Sequence, residues 1–197
     1  MSQVVLINGS PRGNGSNTRF ALKVMQDVLL QENIEATLID LRQKNISPCK
    51  GCLYCHNKPC FIRDDMDDII PLLLDADVIV LGSPVYYGGV TGLLKNFIDR
   101  CDPLRYQWQL QDKLGAALVV AGSRNGGQEY TIQSIHAFFL LMGMVVIGPC
   151  GEKTAGFGAT GLAYKPHKME QDEEGIQSAK DLALHIVRYL KRYRQKA

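Results

Sequence analysis

Val4-Val5-Leu6-Ile7-Asn8-Gly9-Ser10-Pro11-Arg12-Gly13-Asn14-Gly15-Ser16-Asn17-Thr18 is a short apolar run that breaks into a polar, glycine-punctuated loop. The next segment, Asn17 to Glu32, places Phe20, Ala21, Val24, Met25, Val28 and Leu29 at helical spacing. Ser16 or Asn17 is suited to cap that helix. The stretch therefore predicts a buried strand, a tight loop and a helix. The glycines let the backbone approach an anion, and the helix start presents free N–H groups and the positive end of its dipole. Ser10, Ser16, Asn17 and Thr18 add donors, and Arg12 adds a charge. The loop contains neither a Gly-Lys-Ser/Thr ending nor a GxGxxG pattern. The competing reading is an ordinary β–α turn with a capped helix.

The same alternation continues along the chain. Ile34 to Asp40, Asp77 to Gly82, Gly115 to Ala121 and Met144 to Ile147 read as strands. Asp77 to Gly82 is nearly all apolar, as expected of a strand buried on both faces of a parallel sheet. Helices are expected from Asp64-Asp65, with a kink or late start at Pro71, and over Thr91–Arg100, Gln128–Met142 and Gln171–Tyr193. Gly151 to Tyr164 reads as a glycine-rich tail. Five such units predict a doubly wound α/β fold with a parallel sheet, organised as one domain over residues 1–197. In such sheets a ligand sits at the carboxyl ends of the strands, where three loops rich in Gly, Ser and Asn converge.

Composition narrows the class. The chain has 197 residues, 46% of them hydrophobic and 21% charged, which suits a packed α/β core. A net charge of +2 gives no reason to expect nucleic acid or an anionic membrane. Met1-Ser2-Gln3 lacks the pattern of a signal peptide, and Ala137 to Pro149 is too short to span a bilayer. A cytoplasmic protein is expected.

Six cysteines are present, four of them in the spacing Cys49-x2-Cys52-x2-Cys55-x4-Cys60. Three thiolates at two-residue spacing can face one centre, and compact runs of this kind hold [4Fe–4S] clusters. Gly51 permits a tight turn, and Pro59 constrains the approach to Cys60. Four thiolates also satisfy a structural zinc, and free or redox-active thiols are a third reading. His56 is a spare ligand. Cys101 and Cys150 read as small buried residues. Asp99 and Arg100 read as a structural ion pair. His136, His167 and His185 carry no assigned chemistry, and no Ser-His-Asp arrangement is apparent.

The first loop resembles the phosphate loop of the NADPH-dependent FMN reductase family, within the flavodoxin-like fold. Ser83-Pro84-Val85-Tyr86-Tyr87-Gly88-Gly89 is similar to that family's second flavin loop, and Leu93 to Arg100 to the helix behind it. Ala121 to Glu129 is similar to its third loop. The resemblance implies a five-stranded sheet in the order 2-1-3-4-5 and FMN as cofactor. It implies phosphate contacts from Ser10, Arg12, Ser16, Asn17 and Thr18. The ring would lie against Pro84, Val85, Tyr86 and Tyr87, with the backbone N–H groups of Tyr87, Gly88 and Gly89 on its polar edge. Ser123, Gly126 and Gly127 would close the other side. Simple loop anchoring is the plainer reading of both tyrosines.

The cysteine loop, residues 47–63, resembles that of the iron–sulfur flavoproteins, a subgroup of the same family, and precedes a similar Asp64-Asp65-Met66 helix start. This implies Cys49, Cys52, Cys55 and Cys60 as ligands of a [4Fe–4S] cluster that exchanges electrons with FMN. Reduced ferredoxin or NAD(P)H is the implied donor, and a homodimer or homotetramer the implied assembly, with Gly151–Tyr164 a candidate contact. The alternatives are a cluster-free NAD(P)H-dependent flavin or quinone reductase, a non-catalytic FMN carrier, and a zinc-stapled module.

Overall fold

The computed structural model describes residues 3–194, with side chains through Arg192. Met1 and Ser2, where the N-terminal reading begins, lie outside them. The elements run β1 (Gln3–Asn8), α1 (Asn17–Gln31), β2 (Glu35–Asp40), α2 (Met66–Asp75), β3 (Val78–Pro84), α3 (Gly92–Arg100), α4 (Asp102–Tyr106), β4 (Leu114–Ala121), α5 (Gln128–Leu141), β5 (Val145–Ile147), β6 (Ala159–Leu162) and α6 (Glu173–Arg194). The sheet order is β2-β1-β3-β4-β5, every pairing is parallel, and β6 pairs with β4 beyond the point where β5 ends. This is the expected α/β, flavodoxin-like order.

Burial on both faces explains the apolar central strands. All eight residues of β4 are buried, as are the first six of β3. One core layer joins the sheet to α1 and α6 through Leu22, Met25, Leu182 and Ile186. The other joins it to α2, α3 and α5 through Ile69, Leu73, Phe97 and Phe139.

Three expectations need correction. The glycine-rich tail contains a sixth strand, Ala159–Leu162, which takes the free edge of β4 because β5 pairs only as far as Ala116↔Ile147. Of the two alternatives at Pro71, a kink or a late start, the late start is not met. The α2 helix runs from Met66 with exposed Pro71 inside it, and the burial of Met66, Ile69 and Leu73 offsets the hydrogen bond that proline cannot donate. Asp99 and Arg100 do not pair with each other. Asp99 takes Lys95 at 2.5 Å, one helical turn away, while Arg100 points to the opposite side and takes Asp64.

Candidate flavin cleft and cysteine loop

β1, β3 and β4 lie side by side, with Asn8 opposite Gly82 and Pro84 opposite Val120. Their carboxyl ends therefore open into one cleft. It is lined by Ser10, Arg12, Asn17 and Thr18 from the first loop and by Pro84, Val85 and Tyr86 from the second. Val120, Ala121, Gly122, Ala163 and Tyr164 complete the wall.

The first loop is held from within. The Asn8 Oδ1 accepts the Ser10 N–H at 3.2 Å, and the Ser10 hydroxyl accepts the Arg12 N–H at 3.3 Å. The Ser16 hydroxyl accepts the Arg19 N–H at 3.1 Å, so Ser16 is the cap of α1 and offers an anion mainly its remaining proton and its backbone. Asn17 is also committed. Its amide donates to the Lys165 carbonyl at 2.7 Å and its carbonyl oxygen accepts the Met169 N–H at 3.2 Å. That latch brings Tyr164 to the cleft. Thr18 differs: it is 1% exposed, and its hydroxyl is buried with no partner. An uncommitted buried donor beside the start of α1 is what an anionic ligand would satisfy.

The second loop is a tight turn. Tyr86 and Gly89 exchange both backbone hydrogen bonds, at 2.9 and 3.0 Å, with Tyr87 at φ 51° and Gly88 at φ 77°. Tyr87 is fully exposed and is not among the residues of the cleft wall. The third loop meets the second at Gly127, whose φ is 95° and where a Cβ would lie 3.2 Å from the Gly88 Cα. Gln128 fixes this loop by accepting the Gly126 N–H and donating to the Ser123 carbonyl, both at 2.9 Å. Ser16, Tyr87, Gly88, Gly89, Ser123, Gly126 and Gly127 thus lie around the cleft without forming its wall. The wall residues absent from the site residues of the sequence reading lie at the end of β4 (Val120, Ala121, Gly122) and just after β6 (Ala163, Tyr164). The first set was signalled by strand polarity, and the second was hidden in the tail.

The cysteine loop is built differently. Cys49 and Cys52 are exposed, Cys55 and Cys60 half-buried, and none is in a disulfide. Among the described residues no three side chains of metal-binding type are gathered. The Gly51 N–H donates to the Cys49 sulfur at 3.4 Å, and Gly51 and Leu53 adopt left-handed φ values of 60° and 58°. The Cys55 thiol donates to Asp102 at 3.5 Å. Burial, then the Asp102 hydrogen bond and charge, push its pKa up to about 11. The His56 ring stacks on Tyr106 and stands 3.6 Å from Asp102. Cys101 is fully buried, as expected, and its thiol is held neutral by burial; Cys150 is exposed instead. The chemistry of the donor set fits an iron–sulfur cluster: four free thiols on one short loop, with a backbone N–H already directed at one sulfur.

The histidines stand apart. His136 is half-buried on α5 with burial lowering its pKa, His185 contacts the Gly148 carbonyl at 2.8 Å, and His167 contacts Glu170 at 3.1 Å.

A doubly wound sheet with an anion-ready loop at its switch point defines a flavodoxin-like protein. Its structural likeness agrees: a WrbA-like flavodoxin from Agrobacterium tumefaciens superposes with TM-score 0.63 at 17% identity, covering 96% of this chain and 99% of that one. RosB, solved with 8-demethyl-8-formylriboflavin 5′-phosphate, superposes with TM-score 0.76 at 14% identity, covering 98% and 81%. Residues 2–151 match the family model of NADPH-dependent FMN reductases, and the chain belongs to that family. Within it, an iron–sulfur flavoprotein of Methanocaldococcus jannaschii is 42% identical over 96% of this chain and 97% of its own. Another, from Methanosarcina thermophila, is 38% identical over 90% and 89%. The protein is a flavin-dependent oxidoreductase that uses FMN. Among the described residues no helix is long and apolar enough to cross a membrane.

Proposed function

We propose that this chain is an iron–sulfur flavoprotein that passes electrons between FMN in the cleft and a [4Fe–4S] cluster on the cysteine loop. The observation that carries the reading is a pair of donor sets suited to the two cofactors. One is the buried Thr18 hydroxyl beside the cleft, and the other is the four free thiols from Cys49 to Cys60. When bound, FMN exchanges one or two electrons and an iron–sulfur cluster exchanges one.

The chain's own residues have these roles. Thr18, Ser10 and Arg12 hold the phosphate by side chain, Ser16 and Asn17 chiefly by backbone N–H. Pro84, Val85 and Tyr86 support the ring. The N–H groups of Tyr87, Gly88 and Gly89 meet its polar edge, and Ser123, Gly126 and Gly127 keep the third loop against it. Cys49, Cys52, Cys55 and Cys60 are the cluster ligands. Residues 1–197 act as one domain, as a homodimer or homotetramer in the cytoplasm, with NAD(P)H or ferredoxin as donor.

Anaerobic purification followed by a visible spectrum with iron and sulfide assays tests this. Flavin bands with about four iron per chain are expected. A second reading, a cluster-free NAD(P)H-dependent reductase, is favoured by the exposure of Cys49 and Cys52. Steady NADPH oxidation by protein that stays iron-free after reconstitution would establish it instead.

A further inference from the structure

Arg100 has no part in the flavin cleft, yet its side chain is 3% exposed and that of its partner Asp64 is 1% exposed. A guanidinium this deeply buried needs a full set of acceptors. One terminal nitrogen donates to the Ser47 carbonyl at 2.9 Å and to Asp64 Oδ2 at 2.5 Å. The other donates to Asp64 Oδ1 at 3.1 Å and to the Ile62 carbonyl at 3.4 Å. Asp64 also accepts the N–H of Ser47 at 2.9 Å and of Met66 at 3.1 Å. One step further out, Asp65 accepts the Asn45 N–H at 2.6 Å and donates its own N–H back to the Asn45 carbonyl at 3.2 Å.

Ser47 and Ile62 are not arbitrary positions. Each lies two residues outside the cysteine run, one before Cys49 and one after Cys60. A single guanidinium therefore closes both ends of the segment. Its charge is secure. Burial would lower its pKa, but the Asp64 hydrogen bonds and charge raise it above the ordinary value, with Cys60 and Cys49 acting in the same direction.

We propose that Arg100 is the positioning residue of the cysteine loop: paired with Asp64, it staples Ser47 to Ile62 and holds Cys49 and Cys60 beside a fixed positive charge. Its role toward the cluster rests on the reading of this loop as the ligand set. The geometry has two consequences. Closing the loop ends in advance lowers the ordering entropy left for ligand binding. A cation beside the sulfurs favours the more negative, reduced state and raises the midpoint potential. Lysine keeps the charge but lacks the planar fork that reaches a carboxylate and two carbonyls together.

The test uses the full chain with Arg100→Lys, and a double variant, Arg100→Gln with Asp64→Asn, that avoids stranding a buried charge. Loaded proteins are compared for iron loss to a chelator and for cluster midpoint potential. Metal-free proteins are compared for protease nicking between residues 48 and 63. Arg100→Lys should lose iron roughly 10-fold faster at a nearly unchanged potential. The double variant, which removes a positive and a negative charge together, should lose iron as fast. Both should be nicked faster without metal. Variants that bind FMN like wild type yet match it in iron loss, potential and nicking overturn the proposal. If wild type takes up no iron, the cluster reading falls, and the nicking comparison alone decides the staple.

Discussion

Two loops in this molecule are rich in groups that bind something, and they are built in opposite ways. The loop after β1 is internally fixed: Asn8, Ser10 and Ser16 are buried and each holds a backbone N–H, and one donor, Thr18, is left over. The loop after β2 is fixed at its ends by Arg100, Asp64 and Asp65, while Cys49 and Cys52 between them face solvent. The difference comes from location. The first loop sits on the buried ends of central strands and inherits their order. The second leaves the edge strand β2, so its interior has little to pack against. A preformed cleft suits a ligand captured by many weak contacts, whereas a tethered claw suits a cluster whose bonds to sulfur supply the ordering.

The sharpest way to break this comparison is to remove one thiol. Cys52→Ser should abolish stoichiometric iron while FMN binding stays at its wild-type level, as read by iron assay and by quenching of flavin fluorescence. Loss of both cofactors together would mean that the loops are not independent. Next in size is Asp64→Ala, which leaves the Arg100 charge buried and unpaired and should cost about 3–5 kcal/mol in urea unfolding. Asp64 also gives the tethered loop a pH limit. Burial would raise its pKa, but the Arg100, Ser47 and Met66 hydrogen bonds hold it below the ordinary carboxylate range. Its contribution is thus present above the unfolded value of about 3.9 and is lost as pH falls through the lower folded one. Nicking of residues 48–63 should therefore rise below roughly pH 4 in wild type and be fast at neutral pH in Asp64→Ala. The smallest effect belongs to the preformed loop. Thr18→Val removes one hydroxyl of similar shape and should weaken FMN by about 1.5–3 kcal/mol, measured by fluorescence titration. No change would remove Thr18 from the phosphate site.

The same contrast explains what could be read from the sequence. The strands and the place of the cleft were legible, because β1, β3 and β4 are continuous apolar runs and their loops come immediately after them. The strand order and the residues of the first two walls came from the family resemblance. Ala163 and Tyr164 were not legible, because Ala159–Leu162 is four residues long and carries no apolar period of its own. Pairing with the exposed edge of β4 makes it a strand. The partner of Arg100 was also hidden. Asp64 is 36 residues away, and only tertiary packing selects it over the adjacent Asp99.

The Asn17 latch has a consequence for how the protein is made. Its partners, Lys165 and Met169, lie 148 and 152 residues downstream. During synthesis the first loop emerges early, but the trough it borders lacks its last wall until Lys165 and Met169 have left the ribosome. Retention of the flavin is therefore a late event in biogenesis, and a chain arrested before Lys165 would hold its cofactor poorly however well its sheet had formed.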